Sequence, residues 1–84
     1  VQKPVQEVNA ILDVVGLRCP FPLLRAKKAL KALQSGEVLE VMATDPSTEQ
    51  DFLAFVKQTG HSLLEHKMIE NVYYYWLKKN NFGK

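Results

Sequence analysis

Cysteine occurs once in these 84 residues, so the chain can close no internal disulfide and has no second thiol to resolve one formed with a partner. Small exported domains usually depend on several disulfides, so this usage points to a reducing compartment, and the cytoplasm is the expected location. Long apolar runs are also missing. The longest are a few residues, against the roughly 20 needed to span a bilayer, and no charged-then-apolar leader opens the sequence. No membrane association is expected. Charge of either sign is barely in excess: 11 Lys and Arg against 9 Asp and Glu give +2, which falls short of a nucleic-acid footprint. The two histidines have no convincing companion ligands, so no metal is expected, and no other cofactor.

What is present is enough for one core and too little for two. Hydrophobic residues make up 46% and charged residues 24%, a balance that folds rather than one that stays disordered. Residues 1–84 are read as a single domain, with 1–8 as a loose lead-in containing Pro4 and 79–84 as a C-terminal tail.

Alternation over Asn9 to Val15, closed by Gly16, predicts a first strand. From Pro20 to Ser35, Leu23, Ala26, Leu30 and Leu33 recur at helical spacing, with prolines at the start and Gly36 just past the end. Glu37 to Thr44, with Val38, Leu39, Val41 and Met42 in a short run, suits a second strand, broken by Asp45-Pro46-Ser47. A second helix follows: Ser47 and Gln50 have capping-box spacing, and Phe52, Phe55, Val56 and Thr59 share a face that ends at Gly60. His61 to Lys67 is a weaker strand, and Asn71 serves the turn into the β-prone Val72 to Leu77.

The order β-α-β-α-β-β implies a two-layer α/β sandwich, a mixed four-stranded sheet with two helices on one face. A right-handed β-α-β crossover makes the first two strands parallel, and the short last connection requires an antiparallel hairpin.

Gly16-Leu17-Arg18-Cys19-Pro20-Phe21-Pro22 joins the first strand to the first helix. A lone cysteine is often a buried hydrophobe, but this position, beside Arg18 and two prolines, favours exposure and reactivity. With Cys19 at the N-cap, the helix dipole should favour its thiolate, and the Phe21 N–H is the backbone donor expected to meet the sulfur. Pro20 and Pro22 remove two donors and stiffen the turn, while Arg18 is expected to add positive potential. Exchange with a partner's sulfur is the natural reaction.

Leu12-Asp13, the Gly16-to-Pro22 segment, Gly36, Asp45-Pro46-Ser47-Thr48 and Gly60-His61-Ser62-Leu63-Leu64 together resemble the TusA/SirA-like family. The resemblance implies a persulfide carried on Cys19, supported by Arg18, Pro20, Phe21 and Pro22. It further implies a sulfur donor protein (a cysteine desulfurase or a rhodanese-like protein), an acceptor relay protein, and a pathway such as tRNA 2-thiouridine synthesis or sulfur oxidation. Phe21, where relatives often have an acidic residue, and Asp51-Phe52-Leu53 in place of an Asp-Ile-Pro-like helix start, depart from the family pattern.

Lys27, Lys28 and Lys31 on the first helix, with Asp45, are a candidate docking surface, although lysines on a solvated face and an Asp-Pro helix start account for them more simply. His61 reads as a strand-start residue. Tyr73 to Trp76 could stack bases, but strand alternation divides them between two faces, so packing is the simpler account and no direct nucleic-acid partner is expected. A monomer is expected. The alternative to a sulfur carrier is a redox-responsive interaction module that uses the same cysteine for a reversible disulfide.

Overall fold

The computed structural model describes residues 8–80, so most of the expected lead-in and of the expected tail lies outside the described residues. The elements run β1 (Ala10–Val14), α1 (Phe21–Ala32), β2 (Val38–Ala43), α2 (Thr48–Thr59), β3 (Ser62–Ile69) and β4 (Val72–Lys78). The sheet order is β1-β2-β4-β3, with β1 parallel to β2 and the other two pairings antiparallel. This is the mixed sheet and α/β sandwich that the element order predicts.

Strand alternation builds the core. Leu39, Val41 and Ala43 of β2 are fully buried on the helix side, and β4 sets Leu77, Tyr75 and Tyr73 opposite them. Ala26 and Leu30 of α1 and Phe52 and Phe55 of α2 close over these residues and Val14. Phe52 meets Tyr75 edge to face, with ring centroids 4.7 Å apart. Complete burial of a Phe side chain contributes about 1.5–3 kcal/mol, so Phe52 is a principal anchor of α2.

Alternation divides the four aromatic residues of β4 as expected: Tyr73 stacks with Tyr75 on one face, Tyr74 with Trp76 on the other. Trp76 is only 7% exposed, its Nε1–H donates to Glu40 Oε1 at 3.1 Å, and the Lys67 ammonium lies 5.6 Å from its ring centroid. Little of that ring is left for a base.

Several boundaries move. α1 ends at Ala32 rather than Ser35, because Leu33 turns extended and its N–H bonds to the Leu30 carbonyl. The Lys79 ammonium donates to the Leu33 carbonyl at 2.6 Å and that of Lys31 at 3.3 Å, a favourable cation at a helix C-terminus. Lys79 and Asn80, expected in the tail, are thus fastened: the Lys79 N–H bonds to the Glu37 carbonyl, and Asn80 bonds to Gly60, His61 and Ser62. The expected capping box of α2 does not form, since the Ser47 hydroxyl donates to Asp45 Oδ1 instead. β3 runs on to Ile69, and a register shift between Leu63 and Glu65 leaves Leu64 exposed. Glu70 and Asn71, both at positive φ, make the two-residue turn that fits the twist of a hairpin.

Candidate functional site

Parallel pairing brings Val14 opposite Ala43, so the segments leaving β1 and β2 emerge side by side. The β1–α1 loop turns at Gly16, whose φ of 88° lies in the region that favours glycine. Its N–H donates to Thr44 Oγ1 at 2.9 Å, the Leu17 N–H bonds back to the Val14 carbonyl at 3.1 Å, and the Cys19 N–H donates to Asp45 Oδ2 at 2.6 Å. Asp45 Oδ1 accepts from the N–H and the hydroxyl of Ser47 at 2.9 and 3.0 Å. One carboxylate therefore bridges the cysteine loop to the first turn of α2. Gly16, Leu17, Arg18, Thr44, Asp45 and Pro46 line an open cleft of about 490 Å³ along this seam.

Cys19 is free and exposed. Its backbone differs from the sequence expectation. The N-cap of α1 is Pro20, the Cys19–Pro20 peptide is cis, and the Phe21 N–H donates to the Arg18 carbonyl at 2.8 Å rather than to the sulfur. The thiol pKa moves up, against the direction that the helix dipole favours. Hydrogen bonding to the Asp51 carboxylate first, then desolvation, then the charges of Asp51 and Asp45 push it above the ordinary thiol range, with the Ser47 hydroxyl acting the other way. The N-terminus of α1 has its Phe21 donor turned to Arg18 and a proline at N2, whereas Asp51 in the first turn of α2 acts on the thiol. Arg18 acts on Asp45, whose carboxyl is held below its ordinary value by the N–H of Ser47, then by that of Cys19, and in smaller part by the Arg18 charge.

Pro22 is buried and anchors the first turn, whereas Phe21 and Leu24, three apart on one face, are 54% and 50% exposed. They form an apolar patch on the helix that begins beside the thiol. Lys27, Lys28 and Lys31 are exposed along the same helix, and Lys27 lies 5.9 Å from the Phe55 ring centroid. The structure brings Arg18, Cys19 and Asp45 together and leaves the lysines farther along α1. Asp51 and Thr44 were not singled out from sequence; both stand on segments that a parallel β1–β2 pair carries to the end of the sheet where β1 leads into Cys19.

Fold and site together define a small α/β domain that presents one exposed cysteine on a braced strand-to-helix loop. Residues 10–79 match the family described as Sulfurtransferase TusA. The sulfur carrier protein TusA of Allochromatium vinosum is 52% identical over 69 residues, covering 82% of this chain and 91% of that protein. The TusA of Pseudomonas aeruginosa is 42% identical over 72 residues, covering 86% and 91%. In fold, a SirA-like protein from Desulfitobacterium hafniense superposes with a TM-score of 0.75 at 24% identity, over 87% of this chain and all of that one. The chain belongs to the TusA family.

Proposed function

We propose that this protein is a sulfur carrier that holds a persulfide on Cys19. The exposure of the only thiol, on a loop braced by Asp45, carries the reading. In loading, the Cys19 thiolate attacks the outer sulfur of a donor persulfide. A Cys19 S–S bond forms, the donor's S–S bond breaks, and the donor cysteine leaves as a thiolate that takes up a proton. In unloading, an acceptor thiolate attacks the outer sulfur of Cys19-S-SH, and Cys19 leaves in turn. Both steps are displacements at sulfur with no net redox change.

The donor is a cysteine desulfurase or a rhodanese-like protein, and the acceptor is a relay protein feeding a pathway such as tRNA 2-thiouridine synthesis. Arg18, Pro20, Phe21 and Pro22 shape the approach, with Lys27, Lys28, Lys31 and Asp45 as the docking surface. Phe21 and Leu24 supply apolar contact area beside the thiol. The Asp51 carboxylate favours the protonated form of the thiol, and a partner cation neutralising it on docking would favour the thiolate.

Intact-mass analysis after incubation with a cysteine desulfurase and cysteine tests this. The expected result is a gain of one sulfur atom, removed by thiol and absent in Cys19→Ser. No gain by the native chain, or the same gain by Cys19→Ser, overturns it; a mixed disulfide without added sulfur would instead favour a redox-responsive interaction module.

A further inference from the structure

Away from Cys19, a cavity of about 330 Å³ lies between the later turns of both helices and the ends of β3 and β4. Its lining is chemically one-sided. Lys27 and Lys31 come from α1, Lys79 from just beyond β4 and His61 from just before β3, while Leu30 and Phe55 are its buried apolar residues and Thr59 adds a hydroxyl. No carboxylate lines it, and among the described residues none of the three ammonium groups has one within 4.0 Å. Gathered like charges repel unless a counter-charge joins them, and here neutral contacts hold two of the three. Lys79 rests on the Leu33 and Lys31 carbonyls and Lys27 lies over the Phe55 ring. His61 Nδ1 accepts the Asn80 N–H at 3.1 Å, so the neutral ring carries its own proton on Nε2 as a donor.

We propose that this cavity binds a small organic anion, a carboxylate or phosphate on an apolar body, with the charge among Lys27, Lys31 and Lys79 and the body against Leu30 and Phe55. Its volume stands near the lower bound of the roughly 300–1,000 Å³ typical of ligand cavities, and an inorganic oxyanion would leave the apolar residues uncovered. Lys27 and Lys31 follow the first residue of α1 by about 9 and 15 Å along the axis, so the site is distinct from the thiol. An anion there also favours the His61 imidazolium, which burial and the Lys79 charge otherwise disfavour. Of the elements packed around His61 in the cavity, α1 contributes Lys27 and Lys31, the β4 end contributes Lys79, and α2 contributes no charged side chain. Binding therefore strengthens as pH falls through the His61 pKa.

The test is NMR titration of the full chain with phenyl phosphate, benzoate and inorganic phosphate, following the His61 ring. Expected are saturable shifts with an organic anion, a His61 pKa rise of roughly half a unit or more, and persistence of both in Cys19→Ser. Both should be lost in Lys27→Ala/Lys31→Ala, a variant of two exposed side chains whose fold is checked by its amide spectrum. No saturable shift with either organic anion overturns the proposal. So does equally tight inorganic phosphate binding, or binding that survives loss of both lysines. Because Cys19→Ser is expected to bind, failure here is separable from failure of sulfur loading.

Discussion

The Cys19 N–H donates to Asp45 Oδ2 at 2.6 Å, so a residue 26 positions later in the chain fixes the backbone that presents the thiol. The second oxygen of the same carboxylate accepts from Ser47, so a side chain without an acceptor loses both halves of the brace. Asp45→Ala should free the loop: exchange of the Cys19 amide is expected to rise roughly tenfold, with sulfur loading slowed by a similar factor. The native chain should lose the same restraint in acid. A carboxyl pKa lowered by folding contributes stability that is complete above its unfolded value and disappears as pH falls through the folded one. Loss of Cys19 amide protection below the ordinary carboxylate range, with the core still protected, is the result expected from NMR exchange; unchanged protection in Asp45→Ala would remove this role.

Asp51 acts on the sulfur as Asp45 acts on the backbone. Replacing it with Asn removes the charge that favours the protonated thiol, so the Cys19 pKa should fall toward its ordinary value. Each unit of fall raises the thiolate fraction at neutral pH about tenfold, and alkylation should quicken accordingly, moderated by the lower nucleophilicity of a less basic thiolate. Iodoacetamide rates measured across pH would show the displaced midpoint. An unshifted midpoint would mean that Asp51 does not set the thiol's protonation.

The strands, both helices and the exposed cysteine loop were legible because periodicity, prolines and glycines are local signals. The electrostatics of Cys19 were not. The dipole of the helix that follows the cysteine is outweighed by Asp51 of the other helix and Asp45 just before it, and only tertiary structure carries Asp51 to the thiol. Parallel pairing of β1 with β2 was expected, and it makes the two C-terminal strand ends neighbours, so the segment after β2 was the region to inspect. Asp45 reads locally as an ordinary Asp-Pro helix start. It is that, through Ser47, and a brace for Cys19 as well.

Thr48 links this brace to the core. Its hydroxyl donates to the Asp45 carbonyl at 2.7 Å, which uses its only proton, so the contact at 2.7 Å with Tyr75 has the Tyr hydroxyl as donor. Both residues are almost wholly buried. Thr48→Val strands the Tyr75 hydroxyl and should cost about 1–3 kcal/mol in urea unfolding, whereas Thr48→Val/Tyr75→Phe should recover part of that loss. Strictly additive losses would show that the two hydroxyls are not coupled.

His61 makes the fold weakly sensitive to mild acid. Burial first, and then the Lys79 charge, hold its pKa below the ordinary histidine value, and protonation at Nδ1 would also remove the acceptor of the Asn80 N–H. The unfolded chain therefore takes up this proton more readily than the folded one. Stability is complete above the unfolded pKa of about 6.5 and declines as pH falls from there to the lower folded value, below which this contribution stays constant. Because the ring is partly exposed, solvent screening should keep the loss small. Urea unfolding at pH 7.5 and pH 5 measures the total change, and His61→Gln, which has no proton to gain, isolates the part due to this ring. The native chain should lose more stability between the two than the variant does; an equal loss would mean that the Asn80 contact and the Lys79 charge do not govern the ring's proton.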